Sequence, residues 1–456
     1  MAVEKRIEQD SLGQVHIPVN AAWGAQTQRA IENFQFSGYA MPDSLRRSIG
    51  LLKAGAAATN ARLLRLDSKH AQTIETVGLE IWNGDHANAF PVEVFQTGSG
   101  TSWNMNANEV IAHISSSRMK QAIHPNDHIN LGQSSNDVIP TSINISCLLE
   151  LHALLPEIAQ LRKIIQQKAL EFHSVIKLGR THLQDAVPVR LSAAFSAVDE
   201  QLRQSTAALQ SCIEILQHVA LGGTAAGTGL NTHADFAPMT CDYISKNLGY
   251  SVYPAASFAA EMNSRLPQTQ LMGALQLLLV TLQRWCIDLR LLSSGPNGGL
   301  GEINLPELQP GSSIMPGKVN PVIPEAVQQL TVHLLGKCSV VANAATQGPL
   351  ELNIMFPLIA YETIESLRLS QNACRILGER CIQGITANVD VCRQHVASSL
   401  ALITKIAEEI GYDKAAKIAQ QAQREKRSLR DILIHEEGFS TERCDEALNP
   451  ETMLPE

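Results

Sequence analysis

Aromatic residues are scarce in this 456-residue chain, at 4% of the sequence, although hydrophobic residues as a whole make up 45%. Strands favour aromatic and β-branched side chains, so long segments dominated by Leu, Ala, Ile and Gln predict a mainly α-helical protein. The length exceeds the usual limit of about 250–300 residues for a single core. We therefore expect two or three structural units.

Basic runs and long apolar runs are also missing. The formal net charge is −8, and a nucleic-acid partner would require a basic face, so we expect no nucleic-acid partner. The longest aliphatic stretch, residues 275–282, contains Gln276 and Thr281 and is too short to span a bilayer. Residues 1–14 lack the apolar segment of a secretion signal. These absences predict a cytoplasmic protein with no membrane partner.

The cysteines do not form metal-binding or disulfide patterns. All nine are scattered, and none lies in a Cys-x-x-Cys pair, which predicts free, buried thiols in a reducing compartment. The segment 124–128 has two histidines at the spacing of a zinc-binding helix. However, Pro125 and Asn126 disfavour a helix there, and the glutamate of such a motif is absent. We expect no bound metal.

Two segments, residues 191–219 and 271–292, place apolar side chains in alternating steps of three and four. This spacing is typical of long helices in a bundle. In the second segment Leu277, Val280 and Ile287 add apolar residues on other faces. A helix that is apolar on several sides indicates the centre of a bundle shared between subunits.

Proline positions and composition suggest the remaining organisation. Helices are predicted to begin after Pro156 and after Pro324, because proline is tolerated in a first helical turn. We divide the chain into a mixed N-terminal region (1–133), a central long-helix region (134–355) and a C-terminal region of shorter helices (356–456).

Four loops between the helices are rich in Gly, Ser, Thr and Asn, and they span residues 97–108, 124–137, 179–188 and 311–325. The last loop reads Gly-Ser-Ser-Ile-Met-Pro-Gly-Lys-Val-Asn-Pro over residues 311–321. It is not a Walker A loop, because Val319 stands where a magnesium-binding hydroxyl is needed. Residues 295–301 are glycine-rich but follow a predicted helix, which disfavours a dinucleotide site. We expect no cofactor.

Taken together, these loops resemble the fumarase/aspartase superfamily of lyases. The matching motifs are Gln96-Thr-Gly-Ser-Gly-Thr101, Gln133-Ser-Ser-Asn-Asp137, Gly179-Arg-Thr-His-Leu-Gln-Asp185 and the loop 311–321. The likeness runs from about residue 10 to about residue 414. It implies a mainly α, three-domain subunit with a long central helical bundle shared in a homotetramer, and active sites assembled from loops of three subunits.

The resemblance also implies residue roles toward a small dicarboxylate substrate. Ser312, on a mobile loop, would be the catalytic base, assisted by Lys318. His182, oriented by Glu325, would handle the water or the leaving hydroxide. The implied substrate-binding residues are Ser99, Thr101, Ser134, Ser135, Asn136, Thr181 and Asn320. A second anion site, with a regulatory role, is implied at His124, Asn126 and Asp127.

The choice among lyases depends on the loops that face the substrate. Ser99, Ser135 and Gly317 resemble the fumarase pattern, whereas residues 304–308, 322–325 and 381–387 look more like aspartase. We favour reversible anti addition of water to fumarate, giving L-malate. Aspartate ammonia-lyase, a lyase acting on a related C4 dicarboxylate and an inactive structural homologue are the alternatives.

Two positions depart from the fumarase pattern. Pro267 is predicted to start or kink the third bundle helix late. Phe356 stands where many fumarases carry a basic residue. Neither position belongs to the expected site, but both could reshape the pocket.

Overall fold

This computed structural model describes residues 4–454. They form seventeen α-helices and eight short strands, which confirms the predicted mainly α fold. The helices are α1 (Ala25–Asn33), α2 (Asp43–Arg62), α3 (Ser68–Asn83), α4 (Thr101–Met119), α5 (Ser135–Glu171), α6 (Ser192–Gln210), α7 (Cys212–Gln217), α8 (Phe236–Leu248), α9 (Phe258–Asn263), α10 (Leu266–Leu292), α11 (Val322–Ala345), α12 (Phe356–Arg380), α13 (Val389–Ser398), α14 (Ile403–Ile410), α15 (Tyr412–Glu425), α16 (Leu429–His435) and α17 (Thr441–Ala447). The strands are β1 (Lys5–Asp10), β2 (Gly13–Pro18), β3 (Ile176–Thr181), β4 (Gln184–Arg190), β5 (His218–Val219), β6 (Tyr253–Pro254), β7 (Ile303–Asn304) and β8 (Thr386–Ala387).

The strands form four two-stranded sheets. β1–β2, β3–β4 and β7–β8 are antiparallel, and β5–β6 is parallel. After the first hairpin, α2 and α3 pack very closely. A Cβ atom on Gly50 would lie 2.8 Å from the carbonyl oxygen of Gly78, and one on Gly78 would lie 2.7 Å from that of Gly50. The two backbones can therefore approach only because both positions are glycine.

Helix α5 corrects one prediction. It does not begin after Pro156 but at Ser135, and it continues through Pro140 and Pro156 for 37 residues. An internal proline removes one helical hydrogen bond and costs about 3 kcal/mol. Leu154 and Ile158, on either side of Pro156, are fully buried, and each such side chain contributes about 1.5–3 kcal/mol. Burial along this helix outweighs the proline penalty.

The two predicted bundle seams are confirmed. Every seam position in residues 191–219 and 271–292 is at most 9% exposed. The first seam is shared by α6 and α7, which meet at Ser211, so it is not a single helix. The second lies within α10, whose first turn contains Pro267 as predicted. Val280 and Ile287, on other faces of α10, are 51% and 42% exposed in the single chain.

The later helices follow the predicted pattern with small shifts. α11 begins at Val322, two residues before Pro324, so this proline occupies the first turn. The predicted C-terminal region opens with α12, a helix of 25 residues, and only the helices after it, α13 to α17, are short. Their core includes Ile406, Ile432 and Cys444, each at most 1% exposed.

The chain separates into two compact units. The first comprises the described residues up to Pro156, with Ser205–Leu279 and Val332–Gln371; the second comprises Glu157–Gln204, Val280–Thr331 and the described residues from Asn372 onward. The unit boundaries fall inside the long helices α5, α6, α10, α11 and α12. The three-region division at residues 133/134 and 355/356 stays a prediction.

All nine cysteines are free and buried, as predicted. Burial raises the pKa of Cys147, Cys241, Cys374 and Cys381 to about 12, which keeps these thiols protonated and unreactive. One helix, α5, is long and apolar enough to cross a membrane by length and composition, but 72% of its apolar window is buried within the protein.

Candidate active site

Two helix N-termini in the first unit present the predicted substrate-binding side chains. Thr101 opens α4, after Gly100 in a left-handed conformation with φ 71°. The hydroxyl groups of Ser99 and Thr101 lie 2.8 Å apart. The preceding turn is held tightly, because a Cβ on Gly98 would lie 2.2 Å from the carbonyl oxygen of Ile354. The free N–H groups of a first helical turn favour anions.

The segment Ser134–Asn136 opens α5 in a similar way. The hydroxyl of Ser134 accepts the N–H of Asn136 at 3.2 Å, and the N–H of Ser134 donates to the Asp137 carboxylate at 2.9 Å. These bonds cap the N-terminus of α5, which begins at Ser135. The Asn136 amide donates to the carbonyl of Ala225 at 2.9 Å.

Asp137 anchors this segment from within the core. It is fully buried and accepts the backbone N–H groups of Gly222 at 3.1 Å and Thr224 at 2.9 Å. Burial raises the pKa of Asp137 to about 6, against the lowering effect of these hydrogen bonds. The two helix openings are also linked, because Asn104, one turn into α4, donates to the Ser135 hydroxyl at 3.1 Å.

The second unit carries Thr181 and His182 on a tight hairpin. β3 and β4 pair through Thr181 and Gln184, so His182 and Leu183 form a two-residue turn. Both have positive φ, 55° and 59°, a conformation that favours Gly or Asn in hairpin turns. His182 is exposed. Backbone strain at a functional side chain is a recurrent feature of active sites.

A buried carboxylate holds the base of this hairpin. Glu302 is 0% exposed and lies 2.9 Å from Arg180, 3.1 Å from Lys177 and 3.1 Å from His395. Burial lowers the pKa of Lys177, and the Glu302 charge opposes this shift. Glu302 directly precedes β7, so this ionic cluster joins the hairpin to the start of the segment that leads into the loop 311–321, which we call the signature loop.

The signature loop closes on itself. The Asn320 amide donates to the carbonyl of Gly311 at 2.5 Å, and a Cβ on Gly311 would lie 2.1 Å from the carbonyl oxygen of Lys318. Ser312 Oγ accepts two backbone N–H groups, from Ile314 at 3.2 Å and Met315 at 2.9 Å. Two donors on one hydroxyl oxygen stabilise negative charge there.

Lys318 and Asn320 line a cavity of about 570 Å³. Its lining also includes Asn304 and Asn388, whose amides bond reciprocally at 2.6 and 2.9 Å. Glu325 lies in the first turn of α11 and is half-buried.

The predicted catalytic residues Ser312, His182, Glu325 and Lys318 all belong to the second unit. Across residues 4–454 no hydrogen bond joins His182 to Glu325, and none joins Ser312 to Lys318. Ser99, Thr101 and the segment 134–136 belong to the first unit, whereas the other predicted catalytic and substrate-binding residues belong to the second. Their roles therefore stay predictions.

The predicted second anion site lies on a one-turn π-helix, Pro125–Ile129. His124 Nδ1 accepts the N–H of Asp127 at 3.2 Å and lies 3.1 Å from its carboxylate. His124 and Asn126 line a cavity of about 520 Å³ that also contains Glu8, Asp10 and Glu109. These three acidic residues disfavour an anion beside them, whereas the imidazoles of His113 and His124 are lining groups that can carry a positive charge.

Several residues that shape the site were not singled out from the sequence. They are Lys53, Asn130 and Glu302. Lys53 had one signal, since it is the only charge in the apolar run 51–58. Within residues 4–454 no group of three or more His, Cys, Asp or Glu side chains is placed to hold a metal ion.

Comparison with known families gives two matches. Residues 13–336 match the model of a family described as "Lyase", and residues 402–455 match one described as "Fumarase C C-terminus". The first match alone covers more than half of the chain.

Comparison with individual proteins agrees with the family models. The chain is 43% identical to a protein named "Fumarate hydratase class II 2" of Pseudomonas aeruginosa, over 99% of this chain and 98% of that one. Among solved structures, the class II fumarase of Schistosoma mansoni matches with a TM-score of 0.95 and 36% identity. A fumarate lyase:delta crystallin of Brucella melitensis, bound to cobalt, matches with a TM-score of 0.95 and 40% identity. Each of these two structural matches covers 99% of both chains.

Proposed function

We propose the reversible hydration of fumarate to L-malate as the activity of this chain, which belongs to the lyase family of the class II fumarate hydratases. One observation carries the proposal. The near-full-length likeness to these hydratases coincides with hydroxyl and amide donors placed at the N-termini of α4 and α5. Such donors suit the carboxylates of a small dicarboxylate.

The proposed chemistry divides between an anion-binding part and a proton-transfer part. Thr101 and the segment 134–136 bind the substrate carboxylates, together with Lys318 and Asn320, whose ammonium and amide groups add charge-assisted hydrogen bonds. Addition of water makes one carboxylate an aci-carboxylate with extra negative charge. Donors already fixed around that carboxylate stabilise this intermediate most.

Ser312 and His182 act on opposite faces of the double bond. The oxygen of water bonds to one olefinic carbon while a water proton passes to His182, assisted by Glu325. The Ser312 hydroxyl then gives its proton to the neighbouring carbon, which completes anti addition and leaves an alkoxide. Its two backbone donors, the N–H groups of Ile314 and Met315, favour that charged form. The proton on His182 returns through solvent to Ser312.

We infer that the working form is a homotetramer with active sites shared between subunits. Apolar side chains remain exposed on two bundle helices: Val280, Ile287 and Leu291 on α10, and Val332 on α11, are between 39% and 59% exposed. Exposed apolar surface on long helices favours burial against other copies. The nine buried free thiols support a reducing, cytoplasmic location.

The test is the ultraviolet absorbance of fumarate after addition of the purified protein, in plain buffer and with ammonium. We expect loss of fumarate in plain buffer, with L-malate formed. Loss only with ammonium would assign aspartate ammonia-lyase activity, and no loss in either buffer would refute action on fumarate.

A further inference from the structure

A lysine side chain lies completely buried behind the anion-binding segment. Lys53, on α2, is 0% exposed. Its Nζ donates to Asn130 Oδ1 at 3.0 Å and to Gln133 Oε1 at 2.9 Å. Both acceptors are neutral amides, and the nearby carboxylate of Asp137 acts on Lys53 only through space. Lysine is almost never fully buried unless it is paired with an opposite charge. A hydrophobic residue would fill this position at less cost, so Lys53 needs another explanation.

The Lys53 amine sets the direction of a hydrogen-bond relay. Lysine donates to Asn130, so the Asn130 oxygen must face Lys53. The same oxygen accepts Asn104 Nδ2 at 3.2 Å and Asn108 Nδ2 at 3.2 Å. The Asn104 amide therefore has its nitrogen on this side, and the second proton of that nitrogen reaches the Ser135 hydroxyl at 3.1 Å.

This direction determines what Ser135 can offer a ligand. Because Ser135 Oγ already accepts a hydrogen bond from Asn104, its own hydroxyl proton can point toward another acceptor. The Ser135 hydroxyl can therefore donate a hydrogen bond. An ionised carboxylate can only accept hydrogen bonds, so it requires such a donor. If the oxygen and nitrogen of the Asn130 amide exchanged places, the hydrogen bonds that link Asn130 to Asn104 and Asn104 to Ser135 would run in the opposite direction.

A second route runs along the backbone. Gln133 accepts from Lys53 and directly precedes Ser134. Two hydrogen bonds close this turn. The side-chain amide of Asn130 donates to the carbonyl of Gln133 at 3.1 Å, and the backbone N–H of Gln133 donates to the carbonyl of Asn130 at 3.0 Å. Lys53 thus holds the turn that leads into the anion-binding segment.

We propose that Lys53 is a positioning residue for carboxylate binding: through Asn130, Asn104 and Gln133 it orients the Ser134–Ser135 segment so that its hydroxyl groups face the substrate as donors. The inference rests on the proposed function, because the ligand it serves is the dicarboxylate of that reaction. The charged amine has three N–H donors and no acceptor, and this property fixes the direction of the relay.

The experiment compares Lys53→Met with a matched variant, Thr59→Val. Thr59 lies on the same helix, is 2% exposed and accepts a hydrogen bond from Thr240 at 3.0 Å. Both variants remove a buried polar group from α2, but only Lys53 belongs to the relay. The measurements are KM and kcat for fumarate and the inhibition constant of succinate, a saturated dicarboxylate that cannot be hydrated.

For Lys53→Met we expect KM and the succinate inhibition constant to rise together by about ten-fold, the scale of one hydrogen bond to a charged group. We expect kcat to change by no more than about two-fold, because we assign this segment to the carboxylate that keeps its charge through the reaction, whose binding is equal in the ground and transition states. Thr59→Val should leave all three constants unchanged. A merely structural role for Lys53 would lower the active fraction of enzyme without moving the succinate constant.

Two further results would overturn the proposal in distinguishable ways. If the wild-type enzyme is active, and Lys53→Met has the same KM and succinate inhibition constant as Thr59→Val, the role of Lys53 is refuted but the proposed function is not. A wild-type protein that neither hydrates fumarate nor binds succinate would remove the proposed function as well. If Lys53→Met does not fold, Asn104→Leu decides the question, since it breaks the same relay and should raise both constants by a similar factor. Unchanged constants there would refute the relay.

Discussion

Removing the negative charge of Glu302 should destabilise the protein strongly. Glu302 is completely buried, and its carboxylate lies about 3 Å from Lys177, Arg180 and His395. The variant Glu302→Gln keeps the shape of the side chain and removes only its charge. Lys177 and Arg180, whose side chains are 10% and 14% exposed, would then be left without a compensating charge in the interior.

The size of the effect follows from this burial. Breaking a buried ion pair by removal of one partner costs about 3–5 kcal/mol, since the remaining charge is desolvated and unpaired. For a chain of this size, with an unfolding entropy of about 2.1 cal/mol/K per residue, we expect a decrease in Tm of about 3–5 °C. The hairpin that carries Thr181 and His182 should lose protection first, because Arg180 is its direct link to Glu302.

The assay is thermal unfolding of Glu302→Gln, with amide hydrogen exchange over β3 and β4. Glu200→Gln is the control, since Glu200 pairs with Arg203 on the surface and both side chains are about half exposed. Exposed pairs contribute little, so the control should keep the wild-type Tm. A Tm of Glu302→Gln equal to that of the control, with unchanged exchange in the hairpin, would refute the role given to this cluster.

Three further predictions concern stability and catalysis. Burial lowers the pKa of Lys53 from 10.5 to about 7. Between pH 7 and pH 10.5 the unfolded chain therefore binds one more proton than the folded protein. The free energy of unfolding should then rise with pH by up to about 1.4 kcal/mol per pH unit. Tm measured from pH 7 to pH 9 should therefore rise more in the wild type than in Lys53→Met, and parallel curves would contradict this. Ser312→Ala should lower kcat about 10²-fold or more, and near-normal turnover would exclude Ser312 as the base. Inorganic phosphate should shift the kinetics of the wild type but not of His124→Asn, and an equal shift in both would argue against an anion site there.

The helical frame was predictable because its signal is local and repeated. The seams in residues 191–219 and 271–292 each repeat the three-and-four spacing many times, so a single break at Ser211 does not hide the pattern. The prediction of a helix start after Pro156 was wrong for the opposite reason. One residue was weighed by its intrinsic preference, whereas the burial of its neighbours Leu154 and Ile158 decided the outcome.

The site was predictable in part. Its loops could be identified from their motifs, but the contacts that orient them join residues far apart in the sequence. The partners of Glu302 come from β3 and α13, and the donor to Ser135 comes from α4. No spacing rule links such residues. A lone charge in an apolar helix, such as Lys53, is the kind of local signal that can still be read in advance.

The distribution of the site residues has a consequence for assembly. If the sites are shared, Ser135 and Ser312 of one site come from different subunits, and two inactive variants should complement each other. Consider a randomly assembled 1:1 mixture of Ser135→Ala and Ser312→Ala subunits. At each site, the segment that carries residue 135 has a chance of about one half of coming from a subunit that retains Ser135, and the same holds for the loop that carries residue 312. About a quarter of the sites should then be complete, by the combinatorics of a symmetric oligomer. Unfolding and refolding the two variants together should restore activity to about that fraction of wild type. Activity no greater than the sum of the separate variants would mean that each site is built within one chain.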